Sequence, residues 1–287
     1  MELVIMSSIL VILAISSIGA ALFIAFLVGL LYSKSYYDGA ENTGSRKWPA
    51  FQRLITNITY PIQRHYFDYN IRYATVELKG YIETILADAD ATITTIIFSG
   101  HPHGLVAINS FFNVGCWHRV VPCVHRHVFA IPGVRELALW LGAIDVTREN
   151  ITEKLKTRSV YIAAGGCREM ILSPDALQRK HQGFLRLAFS LNKPVVPLIH
   201  LGQERAFRSY SCAWLDKIRH VVLDITGYPF PTFCSPPLPV TLTTHVFPLH
   251  WPTQYGDEKS FIDAYYELLQ SHYDTLNDEK KRQSRSI

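Results

Sequence analysis

Two histidines on either side of one proline are the first residues of this chain whose types and spacing suggest chemistry. His101, Pro102, His103 and Gly104 follow the apolar run IIFSG. An imidazole with a pKa of about 6.5 can take up a proton at neutral pH and return it. Proline stiffens such a turn, and glycine lets a ligand approach the backbone. The pattern indicates acid–base catalysis at the end of a strand.

The same histidines allow a second interpretation, as ligands of a metal. Another H-x-H pair, His125 and His127, lies downstream, with His118 before it. Histidines at this spacing can bind zinc or iron. However, no carboxylate completes either pair locally, and Arg126 within the second pair repels a cation. We therefore expect no metal, and a metal-dependent hydrolase is the alternative.

A glycine pair followed by charged residues is the second candidate segment. Gly165 and Gly166 precede Cys167, Arg168 and Glu169. Backbone N–H groups in such a turn can hold a phosphate or a developing oxyanion, and Glu169 can orient a histidine or a substrate hydroxyl. Cys167 has no histidine beside it in sequence, so we do not expect it to act as a nucleophile. An ordinary helix start, with Glu169 placed for the helix dipole, is the structural alternative.

A basic run is the third candidate segment. Arg179, Lys180 and His181 precede Gly183, and Arg186 follows it. These residues could hold phosphates, although a basic run is also typical of a solvated surface. The chain contains no G-x-S-x-G, Walker or G-x-G-x-x-G motif, which argues against a serine hydrolase, a P-loop NTPase and a dinucleotide enzyme.

Short β-rich runs alternate with helical patterns, and these elements must position the candidate residues. The predicted strands are Thr94–Phe98, Val120–Val124, Ser159–Ala163, Val195–His200 and Val221–Ile225. This alternation predicts an α/β domain, a largely parallel sheet with flanking helices. Such sheets place their sites at the carboxyl edge, where the first histidine pair would lie.

Three helices are predicted between and after these strands. Val134, Leu137, Ala138 and Leu141 fall on one face of the first, and the second covers 183–191. The last begins with an S-x-x-D cap at Ser260. Its apolar face is Phe261, Tyr265, Leu268, Leu269 and Tyr273.

The N-terminal segment 1–33 is predicted to be a membrane anchor, either a spanning helix or a re-entrant hairpin. No charged residue occurs from Leu3 to Ser33, and a span needs about 20 apolar residues. A cleaved signal peptide is the alternative, but its apolar core is shorter and its start positive. Lysines and arginines follow the uncharged run Leu3–Ser33, whereas Glu2 is the only charged residue before it. The positive-inside rule thus places the remaining chain on the cytoplasmic side.

The rest of the chain divides into a juxtamembrane segment (34–90), a catalytic domain (91–276) and a charged tail (277–287), which we expect to be disordered. The juxtamembrane segment mixes aromatic and basic residues, which suits either the lipid headgroup level or a buried cluster.

The five cysteines are scattered without a CxxC pair, so neither a disulfide framework nor a structural zinc site is predicted. A net charge of +4 without a dense basic patch argues against nucleic acid as a partner.

Taken in order, the motifs resemble the type 2 diacylglycerol acyltransferase family, which includes monoacylglycerol and wax-alcohol acyltransferases. HPHG is followed by PGVRELALWLGAIDVTREN, which is similar to the family's P-x-x-R-E and S-R-D/E segments. AAGGCREM is similar to G-G-x-x-E, and GFLRLAF with KPVVPLIHLGQE is similar to G-F-x-x-L-A and L-V-P-x-x-x-F-G-E. Three departures are visible: R-K-G-F reads HQGF from His181, G-E-N-E reads GQER from Gly202, and the segment up to the final helix is shortened.

The resemblance implies a glycerolipid acyltransferase-like fold and O-acyl transfer from acyl-CoA, a co-substrate, to a neutral-lipid hydroxyl without a cofactor. Diacylglycerol is the first acceptor to consider; monoacylglycerol, a fatty alcohol or a lysophospholipid is the alternative, and a non-catalytic scaffold is another. It also implies an endoplasmic reticulum membrane location, with lipid droplets as a second place, and leaves a homo-oligomer open.

The resemblance also assigns roles to the candidate residues. His103 would be the general base, with support from His101. Glu169 would orient or polarise a histidine or the substrate hydroxyl. The residues expected to hold the oxyanion or position the substrate are Pro102, Gly104, Gly165 and Gly166. The residues expected to bind acyl-CoA are Arg168, Arg179, Lys180, His181 and Arg186.

Overall fold

The computed structural model describes most of the chain from residue 36 onward. The uninterrupted ranges are 36–87, 95–117, 119–166, 181–210, 212–226 and 233–285, and the shorter pieces are 19–20, 22–23, 25–27, 29–30, 32–33, 169, 177 and 179. The chain divides into two compact units, Met1–Ala40 and Glu41–Ile287. Much of the predicted anchor 1–33 lies outside the described residues. Among the residues that are described, none belongs to a helix with the length and apolar character needed to cross a bilayer.

The larger unit is built on a mostly parallel sheet. The strands are β1 (Asn70–Tyr73), β2 (Ile97–His101), β3 (Val121–Val124), β4 (Ile144–Asp145), β5 (Val160–Ala163), β6 (Val195–Leu201), β7 (Ser209–Tyr210), β8 (Phe233–Cys234) and β9 (Thr243–Val246). Within the described residues, seven of them form one sheet in the order β1-β9-β6-β2-β5-β3-β4. Its pairings are parallel except that of β6 with β9, and β7 pairs with β8 separately.

Helices cover the sheet. They are α1 (Ala40–Thr43), α2 (Pro49–Pro61), α3 (Val76–Ala87), α4 (Ile108–Cys116), α5 (Arg126–Phe129), α6 (Val134–Trp140), α7 (Arg148–Lys154), α8 (Gly183–Ser190), α9 (Gln203–Ala206), α10 (Ala213–Thr226) and α11 (Glu258–Arg285). A π-helical turn, Ile62–Tyr66, continues α2, and a 3-10 turn, Pro252–Gln254, precedes α11.

Strand β2 lies in the middle of the sheet and is buried on both faces. Ile97 packs in a cluster with residues of α8 and α11, whereas Phe98 packs in a second cluster with residues of α3. Both side chains are fully buried. Strands covered on both faces are mostly apolar, and the run Ile96–Phe98 at the start of β2 fits this pattern. The prediction of a largely parallel α/β fold is confirmed.

Predicted strand 221–225 is wrong, because Val221 to Ile225 lie within helix α10. A short apolar run is compatible with either structure. Here Leu215, Arg219 and Leu223 recur every four residues and are buried, which is the helical period. The tail prediction is also wrong for 277–285, since α11 continues to Arg285. Its Glu, Lys, Arg and Gln residues are good helix formers.

Two predictions about helix faces and caps need correction. Helix α6 exists, but it buries Arg135 and Leu139, while Val134 and Leu137 of the predicted core face are exposed. Helix α11 begins at Glu258, and Asp257 accepts hydrogen bonds from the N–H and hydroxyl of Ser260, so the acid rather than the serine caps it. The apolar face of α11 is confirmed: Phe261, Tyr265, Leu269 and Tyr273 are buried.

A buried ion pair connects α6 to the start of the larger unit, and breaking it is expected to destabilise the fold. Arg135 is 1% exposed, and its Nη2 lies 2.6 Å from Glu41 Oε2. We expect Arg135→Met to lower the free energy of unfolding by about 3 kcal/mol, since one charge is left near the interior without its partner. Urea unfolding measures this.

The matched control for this prediction is Arg126→Met. The Arg126 side chain is 72% exposed and lies 4.0 Å from Asp145, so its loss should cost less than about 1 kcal/mol. Equal losses in the two variants would contradict the prediction.

Candidate active site

The candidate residues meet at the carboxyl edge of the sheet. Strand β2 ends at His101, β5 ends at Ala163 just before the glycine pair, and β6 ends at Leu201 just before Gly202. Because β5 and β6 are the parallel neighbours of β2, these three ends lie side by side. The histidine turn, the glycine turn and the start of α9 are thereby placed at one location, the usual site of α/β proteins.

The side chain of His103 is held in one tautomer. Its Nδ1 lies 2.9 Å from the carbonyl oxygen of Gly104, and a carbonyl can only accept, so Nδ1 carries the hydrogen. Nε2 is then unprotonated and can accept a proton. Burial lowers the pKa of His103, while the Gly104 carbonyl and Glu169 oppose that shift. The imidazole is therefore neutral at pH 7, as a general base must be.

Glu169 supports the turn that carries His103. Its Oε2 accepts a hydrogen bond from the backbone N–H of His103 at 2.5 Å, and its Oε1 lies 3.8 Å from Nδ1 of His101. The side chains of His101 and Glu169 are both fully buried. Glu169 thus contacts the backbone of His103 and the ring of His101. These contacts place Glu169 against the turn that carries His103.

The glycines on either side leave room for these groups. A Cβ on Gly165 would overlap the carboxylate of Glu169. Gly104 has a φ of +67°, which residues with a side chain rarely adopt, and the peptide between His101 and Pro102 is cis. The oxyanion or substrate-positioning role expected of Pro102, Gly104, Gly165 and Gly166 stays a prediction.

A buried polar network behind the histidine turn was not predicted. The hydroxyl of Tyr161 lies 2.8 Å from both Ser110 Oγ and His200 Nε2, and His200 Nδ1 lies 3.0 Å from Thr244 Oγ1. A Cβ on Gly100 would collide with Tyr161 and His200, so the network packs directly against β2. Tyr161 and His200 lie inside predicted strands, and a polar residue in an otherwise apolar strand is the signal that could have found them.

His200 is expected to make the fold acid-sensitive. Burial, and then the nearby His101 and His103, lower the pKa of His200 from 6.5 to about 3. Below pH 6.5 the unfolded chain binds a proton at this position that the folded chain does not. The free energy of unfolding therefore decreases as the pH is lowered. At about 1.4 kcal/mol per pKa unit, the loss by pH 5 is about 2 kcal/mol.

Urea unfolding at pH 7 and pH 5 measures this loss. His200→Gln should lose about 2 kcal/mol less than the parent on acidification. His220→Gln, at an exposed position, should behave as the parent does. Equal acid losses in the parent and His200→Gln would contradict the prediction.

A family model described as diacylglycerol acyltransferase matches residues 25–238, which is most of the chain. The chain belongs to the diacylglycerol acyltransferase family. This confirms the resemblance inferred from the motifs.

Curated relatives of this acyltransferase chain carry related names. This chain is 31% identical over 162 residues to diacylglycerol O-acyltransferase 1 of Eremothecium gossypii, and the match covers 50% of this chain and 35% of the relative. It is 25% identical over 232 residues to diacylglycerol O-acyltransferase 2-like protein 6 of Mus musculus, covering 64% and 66%. It is 22% identical over 158 residues to human 2-acylglycerol O-acyltransferase 1, covering 48% and 47%. The chain thus spans less than two thirds of each relative's length.

A solved structure shares the fold of this family member. The crystal structure of the 1-acyl-sn-glycerophosphate acyltransferase PlsC from Thermotoga maritima superimposes with a TM-score of 0.51 at 14% sequence identity. The match covers 90% of this chain and 92% of that one. At this identity the likeness shows the fold, which agrees with the glycerolipid acyltransferase-like architecture expected from the sequence.

The residues proposed to bind acyl-CoA in this acyltransferase are only partly brought together. The ring of His181 lies 3.6 Å from the point where a Cβ on Gly166 would be, so it sits beside the glycine turn. The guanidinium of Arg179 lies 5.9 Å from the ring centroid of Tyr266, whose hydroxyl donates to the His181 carbonyl at 3.4 Å. Arg186 instead pairs with Glu258 at 3.6 Å on an exposed surface. Arg168 and Lys180 lie outside the described residues.

The second departure from the family pattern lies in the site. Gln203, the first residue of α9, is buried, and its amide donates to the carbonyl of Pro102. The sequence marked this position as a departure but assigned it no role.

No cluster of three or more potential His, Cys, Asp or Glu metal ligands occurs in the described part of the chain.

Proposed function

We propose that this protein transfers a fatty acyl group from acyl-CoA to the hydroxyl of a neutral lipid, with diacylglycerol as the first acceptor and triacylglycerol as its product. The observation that carries the proposal is His103, a neutral imidazole whose Nδ1 is held by the Gly104 carbonyl and whose Nε2 is left to accept a proton. Membership of the diacylglycerol acyltransferase family supports the reaction class. Relatives named for diacylglycerol and for 2-acylglycerol support an acylglycerol acceptor.

In the proposed reaction, the acceptor hydroxyl attacks the thioester carbonyl while Nε2 of His103 removes its proton. A tetrahedral oxyanion forms, and the backbone N–H groups of the Gly165–Gly166 turn are candidates to stabilise it. The intermediate collapses with cleavage of the C–S bond. A thiol has a pKa of about 8.5, so CoA leaves readily as the thiolate, and the proton held by His103 can then neutralise it. No further acid is required, so one histidine supported by Glu169 suffices.

The N-terminal segment 1–33 is proposed to anchor the enzyme in the membrane, as a single span or a hairpin. Both the acceptor and the product would be lipids, so a site at the bilayer surface shortens their path. The charge asymmetry around the segment favours a catalytic domain on the cytoplasmic side, where acyl-CoA is dissolved. The endoplasmic reticulum, with lipid droplets as a second location, follows from the family resemblance.

The experiment that tests this function supplies labelled acyl-CoA to membranes from cells that lack endogenous neutral-lipid synthesis and express the full chain. Diacylglycerol, monoacylglycerol, a fatty alcohol and a lysophospholipid are offered separately, and the labelled products are resolved. Triacylglycerol formation with diacylglycerol supports the proposal, and another ester would reassign the acceptor. Chelator-sensitive release of free fatty acid would favour the metal-dependent hydrolase, and no product with any acceptor would favour a scaffold.

A further inference from the structure

The peptide bond between Pro102 and His103 is held at both of its polar atoms. The N–H of His103 donates to Glu169 Oε2 at 2.5 Å. The carbonyl of the same peptide, on Pro102, accepts a hydrogen bond from the side-chain amide of Gln203. Glu169 follows β5 and Gln203 follows β6, so the two neighbours of β2 each supply one of these contacts.

Gln203 is fixed in this position by its surroundings. The residue is 1% exposed and follows Gly202, whose φ of +93° turns the chain from β6 into α9. Its Cγ and Cδ each lie 3.2 Å from the point where a Cβ on Gly104 would be. The side chain therefore fills the space that glycine leaves open beside the histidine turn.

The chemistry at this contact requires a donor. The carbonyl of Pro102 can only accept, so the amide nitrogen of Gln203 must face it. The other amide atom, Oε1, is buried and has no hydrogen-bond partner among the described residues. An apolar side chain of similar size would bury no such oxygen, but it would leave the Pro102 carbonyl without this donor.

We propose that Gln203 is a positioning residue of the active site, which clamps the Pro102–His103 peptide together with Glu169 and thereby keeps the His103 ring bonded to Gly104. Turning this peptide would rotate the backbone that carries the imidazole and move Nε2 away from the acceptor hydroxyl. The catalytic part of the inference rests on the proposed function. At this position, where the family pattern has glutamate, glutamine donates to the Pro102 carbonyl at any pH, whereas a carboxyl group can donate only when it is neutral.

The kinetic test uses two variants of the full chain. Gln203→Met removes the donor, and we expect kcat to fall by about 10²-fold with KM nearly unchanged, as for a small misplacement of a catalytic group. Gln203→Glu keeps the shape but donates only when protonated. Its rate should fall at alkaline pH, where the parent's rate is flat, because the buried carboxyl ionises with a raised pKa and then repels the Pro102 carbonyl.

Glu204→Gln is the matched control, because Glu204 is the next residue along the chain and its carboxylate pairs with Arg205 at 3.4 Å. It should keep the parent's kcat and pH profile. Thermal unfolding of all the variants establishes that they are folded. An unchanged kcat in folded Gln203→Met, or a flat alkaline profile at the parent's rate in Gln203→Glu, would overturn the inference.

A second measurement does not depend on the reaction. In protein labelled with ¹⁵N-histidine, the ring nitrogens of His103, assigned by comparison with His103→Gln, report its tautomer. The parent should show the Nδ1–H form alone, and Gln203→Met should show a mixture of both tautomers. An unchanged tautomer in Gln203→Met would refute the clamp. If the parent formed no ester with any acceptor, the proposed function would fail while this spectrum would still decide the clamp.

Discussion

His103→Gln is expected to reduce acyl transfer by about 10²–10⁴-fold, which is the usual contribution of a general base. Glutamine is close to histidine in size and can still donate a hydrogen bond to the Gly104 carbonyl, so the turn should persist. It cannot accept and return a proton at neutral pH. The expected result is a loss of kcat at nearly constant KM, measured as labelled ester formed from acyl-CoA and the preferred acceptor.

The control for this variant is His127→Gln. The rings of His125 and His127 lie 4.6 Å apart at the start of α5, which follows β3 rather than β2. This variant should retain activity. Loss of activity in His127→Gln together with full activity in His103→Gln would shift attention to the second histidine pair and contradict the assigned base.

The pH dependence of the parent gives an independent check on His103. Burial lowers the pKa of His103 from 6.5. The imidazole therefore stays neutral when the pH falls from 7 to below 6.5, and it can act as a base over that range. Activity should fall only when the pH drops through this lowered pKa. An acid limb centred above pH 6.5 would contradict the assignment, provided that the protein remains folded over that range.

The fold class could be predicted from the sequence because a buried parallel sheet imposes an apolar pattern that is local and readable. The strands ending at His101 and Ala163 were placed within a few residues, and the histidine turn was located at the carboxyl edge of the sheet. The run Val221–Ile225 was misassigned, because four apolar residues and Asp224 are too few to show a period without their neighbours. In α6, Arg135 is buried and forms a salt bridge with Glu41. Apolar patterning does not predict a charged residue in the core.

The candidate site was predicted at the level of its segments but not of its contacts. The roles of His103 and Glu169 were assigned from residue types and resemblance, yet the sequence could not show that Glu169 accepts from the His103 backbone. Gln203 lies 101 residues after Pro102, and only the adjacency of β2 and β6 brings them together. Contacts of this kind depend on the order of the strands in the sheet, which cannot be inferred from the pattern of a single sequence.

Gly165→Ala is expected to reduce activity about as strongly as removing Glu169 itself, by roughly 10²-fold, because a displaced carboxylate no longer holds the His103 N–H. The added Cβ would occupy the place of the Glu169 carboxylate. Gly165 does not have a positive φ, so the clash rather than backbone strain is the cause. Gly80→Ala is the control, because the space around Gly80 is open within 4 Å.

A double-mutant cycle separates this cause from a general loss of packing. Once Glu169→Ala has removed the carboxylate, the Cβ added at position 165 has free space, so the double variant should be no less active than Glu169→Ala alone. Independent effects would instead multiply to roughly 10⁴-fold. Steady-state rates of the parent, the two single variants and the double variant give the coupling, and unfolding midpoints show whether each is folded. A multiplicative loss in folded protein would mean that Gly165 serves something other than Glu169, such as an N–H aimed at the oxyanion.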